Sequence, residues 1–440
     1  MKEKNLVEEK LEEASNFLKD NFFLILNCYN ELMSKERVHI LGICGTFMGG
    51  LAILGKENGI DISGCDENIY PPMSEHLEEM GIQIMQGYDA SLMPDADRYV
   101  IGNSISRGNP ALEYLLSTKA DLISGPDWLY KTILKDKKVI AVSGTHGKTT
   151  VTTMIAHALL EQGENPGYLI AGVPKMLKKS WNISDSKFFV IEADEYDTSC
   201  FDKEPKFFHY RPHILLINNI EFDHADIFSN IEEIESKFFS LLESLDADTM
   251  AYINKDAVSN RFLEKSFIFN AVEAFSAGTT TIDEINKNLA TKALSKYFSS
   301  SEIHDSLKSF SGVKRRYDVI FENDDFKVID DFAHHPTAII ETLKLAKKES
   351  FNVILILELG SNSMRKGIHD EKLIEIMQDQ KTYTINASQD QLEKFSHLSK
   401  ELNQDLVKQI TSKPTEKHII LMCGNRNFSG FQKSILDALI

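Results

Sequence analysis

The sequence predicts an α/β protein built from three successive strand–helix regions. Three observations carry that prediction. A buried run, Val38 to Leu41, leads into a glycine-rich turn and a helix. A second, Val139 to Val142, leads into Ser143-Gly144-Thr145-His146-Gly147-Lys148-Thr149-Thr150 and another helix. From Gly312 onward the alternation of short apolar runs and helical stretches begins a third time. A chain of 440 residues exceeds one ordinary core, in keeping with several domains.

Composition narrows the function classes. With 42% hydrophobic and 26% charged residues the chain reads as globular. A formal net charge of −18 argues against gripping nucleic acid along the surface, which requires clustered Lys and Arg, yet leaves room for a local phosphate site. The five cysteines (Cys28, Cys44, Cys65, Cys200, Cys423) form no C-x-x-C pair, so zinc or disulfide frameworks are disfavoured and a reducing cytoplasm is expected. The apolar stretch Phe22 to Leu26 is far shorter than the about 20 residues a membrane-spanning helix needs.

The elements follow in order. Val7, Leu11, Ala14, Leu18, Phe22, Ile25, Tyr29 and Leu32 recur at helical spacing and predict a long amphipathic helix, packed on its own domain or on a partner. The chain changes character at Val38. Gly42, Gly45, Gly49 and Gly50 follow the first strand, and a second strand runs from Ile60 to Gly64 and ends at Cys65 and Asp66. This is the start of a dinucleotide-type fold, although the spacing is G-x-x-G rather than G-x-G-x-x-G.

The second region carries the strongest motif. Gly144 and Gly147 permit the tight backbone that points consecutive N–H groups at one anion, and Lys148 supplies a cation for outer phosphates. A threonine hydroxyl after the lysine is placed to ligate Mg²⁺. The spacing is tighter than G-x-x-x-x-G-K, since Val142 occupies the expected first glycine. Two more strands, Phe188 to Ile191 and Ile214 to Ile217, run into Glu192-Ala193-Asp194-Glu195-Tyr196-Asp197 and Asn218-Asn219-Ile220-Glu221-Phe222-Asp223-His224-Ala225-Asp226. In a parallel sheet both runs emerge beside the phosphate loop, where hard oxygens suit Mg²⁺ and a histidine could hold a second metal or a transferring phosphoryl group.

In the third region Lys314-Arg315-Arg316 is a basic cluster in an acidic protein, and an arginine facing phosphate complements the loop around Lys148. A strand ends at Val328-Ile329, and Asp330-Asp331-Phe332-Ala333-His334-His335-Pro336-Thr337 is expected to open a helix. Val353 to Leu357 and His418 to Met422 are further strands. Such a set fits an ATPase, a kinase or an ATP-driven ligase; a separate upstream nucleotide turn favours a second, phosphate-bearing substrate.

The order G-x-x-G-x-x-M at Gly42 to Met48, S-G-T-H-G-K-T-T, E-A-D-E at Glu192, N-x-x-x-D-H at Asn219 and D-D-F-A-H-H-P at Asp330 resembles the Mur ligase family. Stretches at His39 to Gly50, Tyr70 to Met73, Arg107 to Pro110, Tyr196-Asp197, His209 to Pro212 and Phe222 to Phe228 resemble the branch that attaches L-alanyl-γ-D-glutamyl-meso-diaminopimelate to UDP-N-acetylmuramate in peptidoglycan recycling. The branch that adds free L-alanine is the alternative, as is a divergent nucleotide-binding relative.

The resemblance implies a Rossmann-like domain at 37–137 for the UDP substrate, a shortened P-loop ATPase-type domain at 138–311 and a Rossmann-like C-terminal domain at 312–440, behind a helical extension at 1–36. It implies ATP and Mg²⁺, the murein tripeptide as second substrate, and a cytoplasmic monomer or homodimer without nucleic-acid or membrane partners. Gly42, Gly45, Thr46, Met48, Asp66, Asn109 and His335 would serve substrate. Gly144, Thr145, His146, Gly147, Lys148, Thr149, Thr150, Asn270 and Asp331 would serve ATP. Thr149, Glu192 and His224 would hold metal, and Lys148, His224 and Arg316 would act in catalysis. The chain departs from the family pattern between Asn254 and Asn270, which is compressed, and at Leu359-Gly360, where a Pro-Arg pair is expected.

Overall fold

The computed structural model describes residues 35–223, 227–269, 271–278, 281–350 and 352–440. The amphipathic helix expected before Val38 and the residues Ala225, Asp226, His224 and Asn270 lie outside them. The chain divides into two compact units, one ending at Ile123 and one running from Ser124 to the C-terminus.

The first unit is built on a five-stranded sheet. Its strands are β1 (Arg37–Leu41), β2 (Asp61–Asp66), β3 (Gln83–Gln86), β4 (Arg98–Ile101) and β5 (Leu122–Ser124), in the order β3-β2-β1-β4-β5. The β1–β2, β1–β4 and β2–β3 pairings are parallel. Strand order reverses at β1, so the turn after β1 opens into the crevice where doubly wound sheets bind ligands. That turn leads into α1 (Thr46–Glu57), whose Met48, Leu51, Ala52 and Leu54 are buried.

The second unit holds two further sheets. One contains β6 (Lys138–Ser143), β7 (Gly167–Leu169), β8 (Trp181–Asn182), β9 (Phe188–Ala193), β10 (Ile214–Ile217), β11 (Met250–Asn254) and β12 (Val272–Phe275), ordered β12-β11-β10-β6-β9-β7-β8. Every pairing is parallel except β7 with β8. β6 lies centrally and leads into α2 (Lys148–Glu161). Ile140, Val142, Val151, Ile155 and Leu159 share one core with Leu289, Ala290 and Ala293 of α3 (Ile282–Leu294). Because β9 and β10 flank β6, their carboxyl ends bring the two acidic runs to either side of the glycine loop. The compressed stretch after β11 holds a short helix, Asn260–Ser266, before β12.

The third sheet contains β13 (Asp318–Glu322), β14 (Phe326–Asp331), β15 (Val353–Glu358), β16 (Lys381–Ile385), β17 (Ser399–Glu401) and β18 (His418–Cys423), ordered β13-β14-β18-β15-β16-β17, with only β13 antiparallel to its neighbour. Successive residues feed opposite faces: Ile329, Leu355, Leu357 and Leu421 build one core, and Val328, Ile354, Ile356 and Ile420 the other. Asp330 and Asp331 belong to β14, and α4 (Pro336–Glu349) starts only at Pro336. The Asp330–Thr337 run opens the helix at its end, where proline at the first helical position needs no N–H partner; the strand expected to end at Ile329 runs on through the two aspartates, which still carry the ladder to β18.

Candidate active site

The glycine loop is stitched to the exit of β10. His146 N–H donates to Asn219 Oδ1 (2.8 Å), Thr145 N–H to Asn219 O (3.2 Å), and Asn218 Nδ2 to His146 O (2.8 Å). Thr145 Oγ1 accepts from Glu221 N–H at 2.9 Å. Two glycines are required by this fit. Gly144 (φ +128°) leaves no room for a Cβ, which would lie 2.8 Å from Asn219 O, and Gly147 (φ +80°) would press a Cβ to 2.7 Å of Asn218 Nδ2. Gly147→Ala is expected to destabilise the protein by about 1–2 kcal/mol from the left-handed backbone alone, read by denaturant unfolding; an unchanged midpoint would show the loop to be pliable.

Lys148 Nζ donates to Gly144 O (2.7 Å) and Glu195 Oε2 (3.1 Å) and lies 3.3 Å from Asp194 Oδ1. Burial works to lower its pKa, but the charges of Glu195 and Asp194 prevail and hold the ammonium above its ordinary value. Glu195 is 2% exposed and Lys148 14%, so the pair is largely shielded from water. Beside it Thr149 Oγ1 donates to Glu192 Oε2 at 2.9 Å. That separation matches the edge of an octahedron with bonds of about 2.0–2.1 Å, so the two oxygens fit as neighbouring ligands of Mg²⁺. Burial pushes the Glu192 carboxyl up, against the hydrogen bonds from Ala171 N–H and Thr149.

The third sheet contributes Arg316, whose Nη2 lies 3.3 Å from Thr149 Oγ1 and whose guanidinium stacks 4.8 Å over Phe332. It is presented by a taut turn: Arg315 (φ +58°) and Tyr317 (φ +48°) both adopt left-handed backbone around it. Arg315 N–H donates to Asp318 Oδ2 (3.1 Å) and Tyr317 N–H to Asp331 Oδ2 (2.6 Å), while Asp331 Oδ1 accepts from Ala333 N–H (2.7 Å). Asp331 thus braces the arginine turn, and burial pushes its carboxyl up.

A second cluster joins the same elements. His335, capping α4, places Nδ1 3.1 Å from His146 Nε2 and Nε2 3.3 Å from Phe222 O. Glu221 Oε2 accepts from Thr337 Oγ1 at 2.6 Å and lies 3.7 Å from His146 and 3.6 Å from His335. Burial is offset there by His146, Thr337 and His335, which hold the Glu221 carboxyl well below the usual range. Burial, then the neighbouring His146 and His369, push His335 down to about 4. Asp223 accepts from Ser363 Oγ at 2.9 Å, a further tie to the third sheet.

The remaining sequence-predicted residues are placed as follows. Asp66 accepts from Cys44 N–H (2.9 Å) and Asn68 N–H (3.0 Å), shaping the turn after β1, where Gly42 adopts φ +79°. Gly45 and Thr46 are exposed at the start of α1, while Met48 is buried beneath them. Asn109 caps the helix Pro110–Ser117 through Leu112 N–H (3.2 Å). Thr150 is half-buried in the first turn of α2. Sequence reasoning missed Ser363; Glu195 and Thr337 lay in runs it singled out, but nothing marked them as the partners of Lys148 and Glu221. Lys237, close after the D-H motif, pairs with Glu204 at 3.0 Å.

Comparison with known proteins agrees with this architecture. Residues 37–137 match the Mur ligase family catalytic domain and residues 142–317 the Mur ligase middle domain. A UDP-N-acetylmuramate–L-alanyl-γ-D-glutamyl-meso-2,6-diaminoheptandioate ligase of Haemophilus influenzae is 35% identical over 92% of this chain and 99% of its own. The protein of the same description from Escherichia coli K12 is 38% identical over 77% of this chain and 82% of its own. The crystal structure of a murein peptide ligase from Psychrobacter arcticus 273-4 superposes with a TM-score of 0.68 at 31% identity, covering 92% of this chain and 98% of that one. The chain belongs to the Mur ligase family.

Proposed function

We propose that the protein is an ATP-dependent amide ligase that joins the carboxylate of UDP-N-acetylmuramate to the amine of L-alanyl-γ-D-glutamyl-meso-diaminopimelate through an acyl phosphate. The observation that carries this reading is the approach of Arg316 from the third sheet to Thr149 in the phosphate loop, 3.3 Å apart. An arginine delivered to the first helical turn behind the glycine loop is aimed where γ-phosphate charge develops.

In this reading the amides around Gly147 and the Lys148 ammonium hold the outer phosphates of ATP. Incoming phosphate takes over the position that Glu195 and Asp194 fill beside Lys148. Mg²⁺, held by Thr149 and Glu192, would screen the phosphate oxygens from the attacking carboxylate. A carboxylate oxygen attacks the γ-phosphorus, the bond to ADP breaks, and Arg316 balances the charge spread over the transferring oxygens. The peptide amine then adds to the acyl carbon. The tetrahedral intermediate expels phosphate, and the nitrogen gives up its proton. His224 is assigned as second-metal ligand and Asn270 to the adenine side by the family pattern. Gly42, Gly45, Thr46, Met48 and Asn109 are assigned to the UDP substrate on the same ground. Thr145, His146 and Thr150 complete the ATP loop, Asp331 serves both the arginine turn and ATP, and His335 the substrate side.

Gly360 stands where the family pattern carries arginine. A Cβ there would lie 3.0 Å from both Cγ and Cδ of Arg426, so the stem of another arginine occupies that space.

Phosphate release with ATP, Mg²⁺ and UDP-N-acetylmuramate is expected on adding tripeptide but not L-alanine. Release with L-alanine alone would move the protein to the L-alanine-adding reaction, and release with neither would sink the ligase reading.

A further inference from the structure

The triad His146, Glu221 and His335 has a geometry that the ligase reading does not require. The three donor atoms come from three separate elements: the glycine loop, the chain after β10, and the residue capping α4. His335 Nε2 faces Phe222 O at 3.3 Å. A carbonyl only accepts, so Nε2 carries the hydrogen and Nδ1 presents its lone pair. His146 Nε2, 3.1 Å away, donates to that lone pair, and a cation binding there takes the place of this hydrogen, which moves to Nδ1 of His146. Glu221 Oε2 completes a triangle with edges of 3.6 Å to His335 and 3.7 Å to His146.

A four-coordinate ion with bonds of about 2.0–2.1 Å separates its donors by about 3.3 Å, whereas an octahedral Mg²⁺ separates neighbours by about 2.9 Å. The triangle spans the first value, and the Thr149–Glu192 pair at 2.9 Å matches the second. Donor chemistry points the same way, since two imidazoles and one carboxylate suit Zn²⁺ or Co²⁺ and leave a fourth position open. The outer supports are also present. Phe222 O fixes the His335 tautomer, and the Thr337 hydroxyl, 2.6 Å from Glu221 Oε2, fixes the carboxylate. Glu221, His146 and His335 form the one such group of three among the described residues.

We propose that His146, Glu221 and His335 bind one transition-metal cation of the zinc class, separate from the Mg²⁺ pair at Thr149 and Glu192. Such an ion ties α4 of the third sheet to the glycine loop, and binding it raises the stability of the folded chain.

The test is titration of the full chain with Co²⁺ in excess Mg²⁺, followed by visible absorption and by thermal unfolding. One equivalent with the intense absorption of four-coordinate Co²⁺, displaced by Zn²⁺ and accompanied by a higher Tm, is expected. His335→Ala and Glu221→Ala abolish that absorption, Thr337→Val weakens binding about tenfold, and Glu192→Ala leaves it intact. The wild-type spectrum decides even where a variant folds poorly: weak six-coordinate absorption, or none, overturns the proposal. So does absorption that survives His335→Ala and disappears in Glu192→Ala, which would put the ion in the Mg²⁺ pair.

Discussion

Lys148→Ala is expected to lower turnover by about 10²–10³-fold, the range for losing one donor to developing charge, since the proposed mechanism puts the ammonium on the outer phosphates. The same substitution has a second consequence that geometry makes visible. Glu195 is 2% exposed and accepts a hydrogen bond from Lys148 at 3.1 Å, so removal of the lysine takes a cation away from a buried carboxylate. Breaking such a pair from one side costs about 3–5 kcal/mol. Lys148→Ala is therefore expected to unfold at lower denaturant, and adding Glu195→Gln is expected to recover most of the loss in stability without recovering turnover. Unfolding curves and phosphate release on the two variants separate the effects. Wild-type turnover in Lys148→Ala would remove the loop from the mechanism; a double variant no more stable than the single would show that the loss does not come from the Lys148–Glu195 pair.

The strands that place this site were readable because parallel strands buried on both faces are unbroken apolar runs. Val139 to Val142, Phe188 to Ile191 and Ile214 to Ile217 each fall inside the strand that forms there. The polar edge strand Ser399–Glu401 left no such trace. Within the site, Lys148, Thr149, Glu192 and Arg316 were legible from motif and family pattern, and their side chains do converge. What could not be read is pairing. In the run Glu192 to Asp197 only the end of β9 decides that Glu192 meets Thr149 while Glu195 meets Lys148. The left-handed turn at Arg315 and Tyr317 was equally hidden, because neither residue advertises positive φ as glycine or asparagine would. Asp318 holds Arg315 from three residues away, but Tyr317 is held by Asp331 on the neighbouring strand, a cause that local sequence does not carry.

Arg316→Ala is expected to lower kcat by about 10³–10⁵-fold, the range for an arginine that stabilises a transferring phosphoryl group. The taut turn is the reason to expect so large an effect. Two non-glycine residues at positive φ cost about 1–3 kcal/mol each, and the chain holds them with Asp318 and Asp331 so that the guanidinium, stacked on Phe332, meets Thr149. Arg316→Lys is expected to restore little, since an ammonium lacks the planar fork and the stacking surface. Asp331→Ala removes the acceptor of both Tyr317 and Ala333 N–H, so it is expected to reduce kcat by releasing the turn while Arg316 remains. ADP binding provides the control: the arginine acts on charge that develops in transfer, so ADP affinity in Arg316→Ala is expected to stay near wild type while kcat collapses. Equal losses in both would make Arg316 a ground-state phosphate ligand, and a kcat within tenfold of wild type would remove it from the transfer step.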